Sequence, residues 1–186
     1  MRVFYTASYL GKQKYQKYYD LVRQAIEKSG VELVSPEKGN YKDLLTAADV
    51  RRLRDERLIH YEAIRRGIAW SDAAIIEISN EDFQLGHEAT LAMQSRKHVL
   101  CLSVYEDFSE KIRNRYFHGA RYSEYDAEEI VEAFINKAKK EFLGERFNMF
   151  LSPSQLDYLG KIAEKEKIGK SEYLRRLIDE DREVRE

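Results

Sequence analysis

The chain has 186 residues, 43% of them hydrophobic, and 32 basic residues against 33 acidic ones give a net charge of -1. That length suits one full domain with a small appendage, and the near-neutral balance excludes a global field drawing the protein onto nucleic acid or anionic lipid. The single cysteine, Cys101, excludes an internal disulfide and lies in an apolar run as a core hydrophobe, and no stretch approaches the ~18 apolar residues of a membrane helix. The expectation is a cytoplasmic protein that does not touch a membrane.

Residues 2 to 7 (RVFYTA) read as a first strand, followed by a polar turn and a long helix from Lys14 to Ser29 with Gly30 as its C-cap. Val31 to Val34 makes a second strand, and residues 41 to 47 carry no clear period. From Asp49 to Trp70 the apolar positions have helical spacing, giving one long or broken helix. A strand over 73 to 78, a helix over 86 to 96, a strand over 98 to 103, a short helix near 108 to 114, a strand near 118 to 122 and a helix over 126 to 143 complete an alternating series. Such alternation predicts a Rossmann-like α/β fold, a parallel sheet flanked by helices, over residues 1 to 143.

After Gly144 the pattern changes. Arg146 to Ser152 alternates like a strand, Pro153 starts a helix, Gly169 ends it, and Ser171 caps another helix carrying Tyr173, Leu174, Leu177 and Ile178. One strand and two helices over residues 146 to 186 can bury little alone, so this unit is expected to need a partner chain.

In open parallel sheets, ligands sit beyond the carboxyl ends of the strands. Tyr5, Ser8, Tyr9 and Gly11 follow the first strand, Ser79 follows the third, and Gly86-His87-Glu88 opens the next helix, so Glu88 is expected at the mouth of the sheet. The helix start would offer free N–H groups to an anion, and Gly86 would let backbone approach a ligand. Two readings of Glu88 stand at this point, a carboxylate favouring the helix dipole or a catalytic group. His87 reads as a pocket wall, Tyr5 and Tyr9 as rings able to stack on a base, and no two histidines have metal-ligand spacing, so neither metal nor cofactor is expected.

Ala7-Ser8, Ser71-Asp72 with Ala73 to Glu77, Gln84-Leu85-Gly86-His87-Glu88 and Lys97-His98-Val99 together resemble the nucleoside 2-deoxyribosyltransferase family, most closely its 2'-deoxynucleoside 5'-phosphate N-hydrolases. The chain departs from that pattern where Gln84 replaces a glycine, His87 a tyrosine, His98 a proline, Ala7 a glycine and Ile64 an acid. The resemblance implies Glu88 as nucleophile at the anomeric carbon of a nucleotide, Asp72 orienting it or assisting the departing base, and hydrolysis or deoxyribosyl transfer through one intermediate. It implies a 5'-phosphate held by Ser8, Gly11, Ser79 and Ser109, the last reaching in from a neighbouring subunit of a homodimer or higher oligomer. A lysine-decarboxylase-like phosphoribohydrolase is a further alternative, but its glycine-rich loop is missing.

Lys170-Ser171-Glu172-Tyr173-Leu174-Arg175-Arg176, after an alternating strand and a Pro-started helix, resembles the ribbon-helix-helix family. This implies a dimer whose paired strands can present Arg146, Asn148 and Phe150 to DNA. The nine basic and ten acidic residues between 145 and 186 provide no cationic excess for phosphate. Dimerisation alone and DNA binding both stay open, and the competing function is a DNA-binding regulator with a nucleotide-sensing N-terminal domain.

Overall fold

The computed structural model describes residues 1–141 and 147–185. They fall in two compact units, Met1–Phe142 and Leu143–Glu186.

The first unit is an α/β domain built on a five-stranded, wholly parallel sheet of order β2-β1-β3-β4-β5, with β1 Arg2–Ala7, β2 Glu32–Val34, β3 Ala73–Glu77, β4 His98–Ser103 and β5 Phe117–Arg121. β3 and β4 are buried along their whole length, as their unbroken apolar runs require of strands covered on both faces. Helices α1 Lys12–Lys28 and α5 Ala127–Glu141 cover one face, where Val22, Ile26, Val131 and Ile135 meet Val3, Tyr5 and Ile75. Helices α3 Glu56–Trp70 and α4 Phe83–Gln94 cover the other, where Ile64, Ile68, Leu85 and Ala89 meet Phe4, Ile76 and Cys101. A side chain at Gly67 would collide with the Phe4 ring, so this glycine sets how closely α3 lies on β1.

Several boundaries differ from the sequence reading for local reasons. The stretch 49 to 70 is two helices, α2 Ala47–Leu53 and α3, because Arg54 turns left-handed (φ 57°) and Asp55 then caps α3 by accepting from the N–H groups of Arg57 and Leu58. Residues 41 to 44 form a single 3-10 turn. The stretch 108 to 114 holds turns rather than a helix, with the Lys111 N–H donating to the Phe108 carbonyl. Gly30 stands just past α1 with φ 66°, as expected of the glycine that ends a helix. α4 begins three residues earlier than its apolar pattern suggested, because Asp82 caps it.

At the amino edge of the sheet, Lys97 donates to the carbonyls of Ile68, Ala69 and Ser71 at 2.5 to 2.6 Å, closing the end of α3. Beside it Asp72 is paired with Arg2.

The second unit is a helical pair, α6 Pro153–Lys165 and α7 Lys170–Arg185. Ser152 and Gln155 form a reciprocal capping box and Pro153 occupies the first turn, as its sequence requires. Ser171 lies inside the first turn of α7 rather than capping it, and α6 stops at Lys165, ahead of Gly169. Residues 147 to 151 form no strand, since an isolated extended segment has no neighbour for its backbone groups. Arg146 lies outside the described residues.

Candidate active site

The order 2-1-3-4-5 reverses direction between β1 and β3, and the crevice beyond their carboxyl ends is where such sheets take ligands. A cleft of about 710 Å³ opens there, with Thr6 and Ala7 from the end of β1, Lys12 from α1, Glu37 from the loop after β2, His60 from α3 and Gln84 from α4 on its walls. A second hollow of about 900 Å³ shares Tyr9, Tyr41, His60, Phe83 and Gln84 with it and continues to Tyr61 and His87. The rim is aromatic. Tyr9 and Phe83 are 80% and 91% exposed, and the His87 ring lies nearly parallel to both Tyr61 and Phe83, with centroids 6.1 and 6.5 Å away. Flat apolar faces at a wet edge suit a planar ligand ring.

Glu88 is not itself on the cleft wall but lies behind two residues that are, Thr6 and Gln84. It is the sixth residue of α4, not the first, and only 1% exposed; Gln84, one turn earlier and itself exposed, covers it. The Gln84 amide donates to Glu88 Oε1 at 2.8 Å and the Thr6 hydroxyl bonds the same carboxylate, while Glu88 Oε2 has no partner. Burial, reinforced by the Asp82 charge, outweighs those bonds and pushes the Glu88 carboxyl up to about 7. The expectation of a carboxylate open at the mouth is therefore corrected to one lying under a side chain.

The Asp72 expectation fails outright. Asp72 precedes β3 and so stands at the amino edge of the sheet, about 16 Å of strand from the carboxyl edge at ~3.3 Å per residue. Its carboxylate takes the Arg2 guanidinium at 2.7 Å and the Arg2 backbone N–H at 2.8 Å. Burial pushes that carboxyl up, but the Arg2 bonds dominate and hold it below its usual range.

The residues expected to hold a phosphate are mostly committed elsewhere. Ser8 is buried, donating to Asp82 Oδ2 at 2.8 Å and accepting from the Asn80 amide at 2.9 Å. Ser79 is buried, bonds Glu77 through its hydroxyl and accepts from the Val104 N–H at 2.9 Å. Gly11 begins α1 in tight contact, since a side chain there would strike Tyr19 and Asn80. Ser109 lies on an exposed turn and is on neither cleft wall, its N–H donating to Asp107. The free N–H groups expected at the start of α4 are taken by the Asp82 carboxylate, and a side chain at Gly86 would meet open space. Tyr5 is in the core, its hydroxyl donating to the Tyr19 carbonyl at 3.0 Å, and cannot stack on a ligand. Tyr9 lines both hollows and His87 the second.

Four residues of the site have no catalytic signature in the sequence. Lys12, 2.8 Å from Glu37 Oε1, brings positive charge to the start of α1, whose first turn has no acidic residue and no side-chain cap. Tyr41, His60 and Gln84 form a chain: Tyr41 Oη is 3.0 Å from His60 Nδ1, and His60 Nε2 is 3.2 Å from Gln84 Nε2. Only the i,i+4 spacing of Gln84 and Glu88 was visible beforehand.

Glu77, noted only as the end of a strand, is fully buried on the opposite face of the sheet. It accepts from Ser79 and from the Tyr122 hydroxyl at 3.0 Å, and burial pushes it up to about 7.

Among the described residues no group of His, Cys, Asp or Glu could hold a metal ion, and no helix is long and apolar enough to cross a membrane. Asn148 and Phe150 of the DNA-reading expectation are exposed on the segment before α6.

The fold and site thus define a Rossmann-like α/β protein with a shielded carboxylate beside an aromatic cleft at the switch point of its sheet. No protein-family model matches the chain, and no curated protein is significantly similar to it. Among solved structures it is similar to the Clostridium botulinum CMP N-glycosidase BcmB, with 17% identity, 72% of this chain and 99% of that chain covered, and a TM-score of 0.44.

Proposed function

We propose that the protein is an N-glycosidase of nucleoside 5'-monophosphates, ribo or deoxyribo, working through Glu88, with deoxyribosyl transfer as the alternative fate of the same intermediate. The observation that carries this reading is Glu88 itself, a buried carboxylate with one unpartnered oxygen next to an aromatic cleft at the carboxyl edge of the sheet. No structural partner is satisfied by an acid at that position through its second oxygen, and an unsatisfied buried carboxyl costs stability, a cost that a catalytic role accounts for.

Glu88 Oε2 forms a bond to C1' while the C1'–N bond breaks, its electron pair passing to the base nitrogen, which takes a proton from water. The departing cation-like sugar is stabilised by the adjacent negative charge. Water then adds to C1' as the ester bond breaks, restoring the carboxylate; a second base in place of water completes transfer. Lys12 and the uncapped start of α1 are the groups suited to a 5'-phosphate, replacing the serines held elsewhere. Tyr9 and Phe83 are suited to stack on the base.

The test is release of free base from a panel of nucleosides and 5'-monophosphates, separated by chromatography. Glu88→Gln is expected to lower kcat by at least ~10³-fold with ligand binding kept within a few-fold. Asp72→Asn is expected to stay active, because its carboxylate lies at the other edge of the sheet. No base released from any member of the panel rejects the assignment.

The second unit is read as a self-association element. Its 147–151 segment lacks a strand partner, and Phe147, Met149, Phe150, Leu156 and Ile178 are exposed in a unit whose buried apolar side chains are Leu159 and Ala163. A second copy of the chain supplies both a partner strand and apolar cover. Balanced charge gives no support to DNA binding there.

A further inference from the structure

The Tyr41, His60 and Gln84 chain has a direction fixed by its end at Glu88. Ionised, as a nucleophile has to be, Glu88 only accepts, so Gln84 then presents its –NH2 to Glu88 Oε1, and the same nitrogen faces His60 Nε2. An amide –NH2 only donates. His60 Nε2 therefore carries no proton, and the neutral imidazole holds its hydrogen on Nδ1 and donates it to Tyr41 Oη. Burial and the nearby Lys42 ammonium keep His60 neutral. The two bonds meeting at Gln84 Nε2 put His60 Nε2 within about 6 Å of Glu88 Oε1.

Two features are unexplained by a purely structural role. Gln84 is an exposed residue, yet its amide reaches in from the cleft wall to a buried carboxylate that has an oxygen left over. His60, on the wall of both hollows, spends its acceptor nitrogen on that same exposed amide. An exposed glutamine is easily moved, and when it moves it leaves two things behind: an uncovered Glu88 and an unsatisfied acceptor on His60.

We propose that Gln84 is a latch which substrate displaces, and that His60 Nε2 then accepts a hydrogen bond from the leaving base, so the site favours bases with an exocyclic amine over their keto counterparts. This rests on the N-glycosidase reading for its second half only. His60 lines both hollows and its Nε2 lies within about 6 Å of Glu88 Oε1, about the span from C1' to the far-edge amine of cytosine, so a base whose C1' is held at Glu88 can bring that amine to His60. Uracil presents a carbonyl at that place, and two acceptors face each other. At His60 the exchange is neutral for an amine, one donor leaving and another arriving, while Glu88 gives up its Gln84 bond as it is uncovered.

The groups acting on Glu88 are Thr6 from β1, Gln84 one turn earlier, with His60 from α3 behind it, and Asp82 at the start of its own helix. None of the others can substitute for the Gln84 amide as a cover.

Two measurements test the two halves separately. The latch is read without turnover, by labelling carboxyls with a water-soluble carbodiimide and a simple amine, in which the carboxyl becomes an amide and the carbodiimide leaves as a urea. Mass spectrometry of the peptide carrying Glu88 is expected to show slow labelling in the native chain, about tenfold faster labelling in Gln84→Ala, and an intermediate rate in His60→Ala. Glu77, buried on the opposite face, reports that the fold is intact by staying unlabelled in all three. Equal Glu88 labelling in the native chain and Gln84→Ala overturns the latch.

The base preference is read from kcat/KM for CMP against UMP and dCMP against dUMP. At least a tenfold preference for cytosine is expected, abolished in His60→Phe, with most of the change in the cytosine substrates. Turnover with no preference, or with uracil favoured, overturns the role of His60 and leaves the N-glycosidase reading standing. No turnover of any nucleotide sinks that reading and with it the role of His60, while the labelling result still decides the latch.

Discussion

Two buried glutamates on opposite faces of one sheet have both been pushed up to about 7 by burial, and only one, Glu88, is bonded to a residue of the cleft wall. Their difference lies in satisfaction: Glu77 is tied by Ser79 and Tyr122, whereas Glu88 keeps an oxygen without a partner. Each binds a proton more tightly in the folded chain than in the unfolded one, so its stabilising contribution is complete below about pH 4.5 and is lost as pH rises through about 7. His60, His98 and His118, all held below their usual range by burial, act in the opposite sense across part of that window. The useful quantity is therefore a difference. Glu77→Gln should gain stability relative to the native chain between pH 5 and pH 8, by about 3 kcal/mol at most, since each tenfold gain in proton affinity on folding corresponds to ~1.4 kcal/mol. Urea unfolding at both pH values measures it, and a difference that does not grow with pH counts against a buried, proton-holding Glu77. Glu88 was legible as a candidate from its place after the third strand. The spacing of Gln84 and Glu88 was legible too, but the contact of His60 with Gln84 was not, because those two are 24 residues apart and no periodic pattern relates them.

Capping decides where the elements begin and end, and in this chain it moved the chemistry. Asp82 fills the start of α4 with its own carboxylate and draws the helix back by three residues, which turns Glu88 from a helix-start residue into a second-turn residue facing inward. The apolar period of Leu85, Ala89 and Ala92 is compatible with either start, so the pattern alone could not choose. Asp82 also anchors Ser8, fastening the loop after β1 to the loop after β3 on the two sides of the switch point. At the other edge, Lys97 gathers three carbonyls at the end of α3, where burial holds its ammonium below the usual range yet leaves it donating to all three. Lys97→Met leaves those carbonyls without their donor and is expected to cost about 2 to 4 kcal/mol. A chemical-denaturation loss under about 0.5 kcal/mol rejects that role. The strands over 2 to 7, 73 to 77 and 98 to 103 were readable because a strand buried on both faces must be apolar throughout.

The two units of the molecule differ in how completely they satisfy themselves. The α/β unit buries two clusters, one on each face of its sheet, and every strand has a neighbour. The helical pair has exposed apolar side chains and a preceding segment whose backbone is in no ladder, so it should be complete only against another copy. Light scattering at micromolar concentration is expected to give at least twice the mass of one chain, and Met149→Asp, placed in that segment, is expected to return it to a single chain. A native chain that is monomeric under those conditions contradicts the self-association reading.

Order and type of the elements, the parallel sheet and the general position of Glu88 follow from local patterns, because burial on one or two faces writes itself into the period of neighbouring residues. The pairing of Asp72 with Arg2, the occupation of Ser8, the bond from Val104 to Ser79, the burial of Tyr5 and the contact of His60 with Gln84 do not. Each depends on groups that are far apart in the chain and meet only when the strands are laid side by side, such as Arg2 with Asp72 or Ser8 with Asp82. Proximity of that kind is a property of the packed molecule, and the order of residues along the chain carries no direct trace of it.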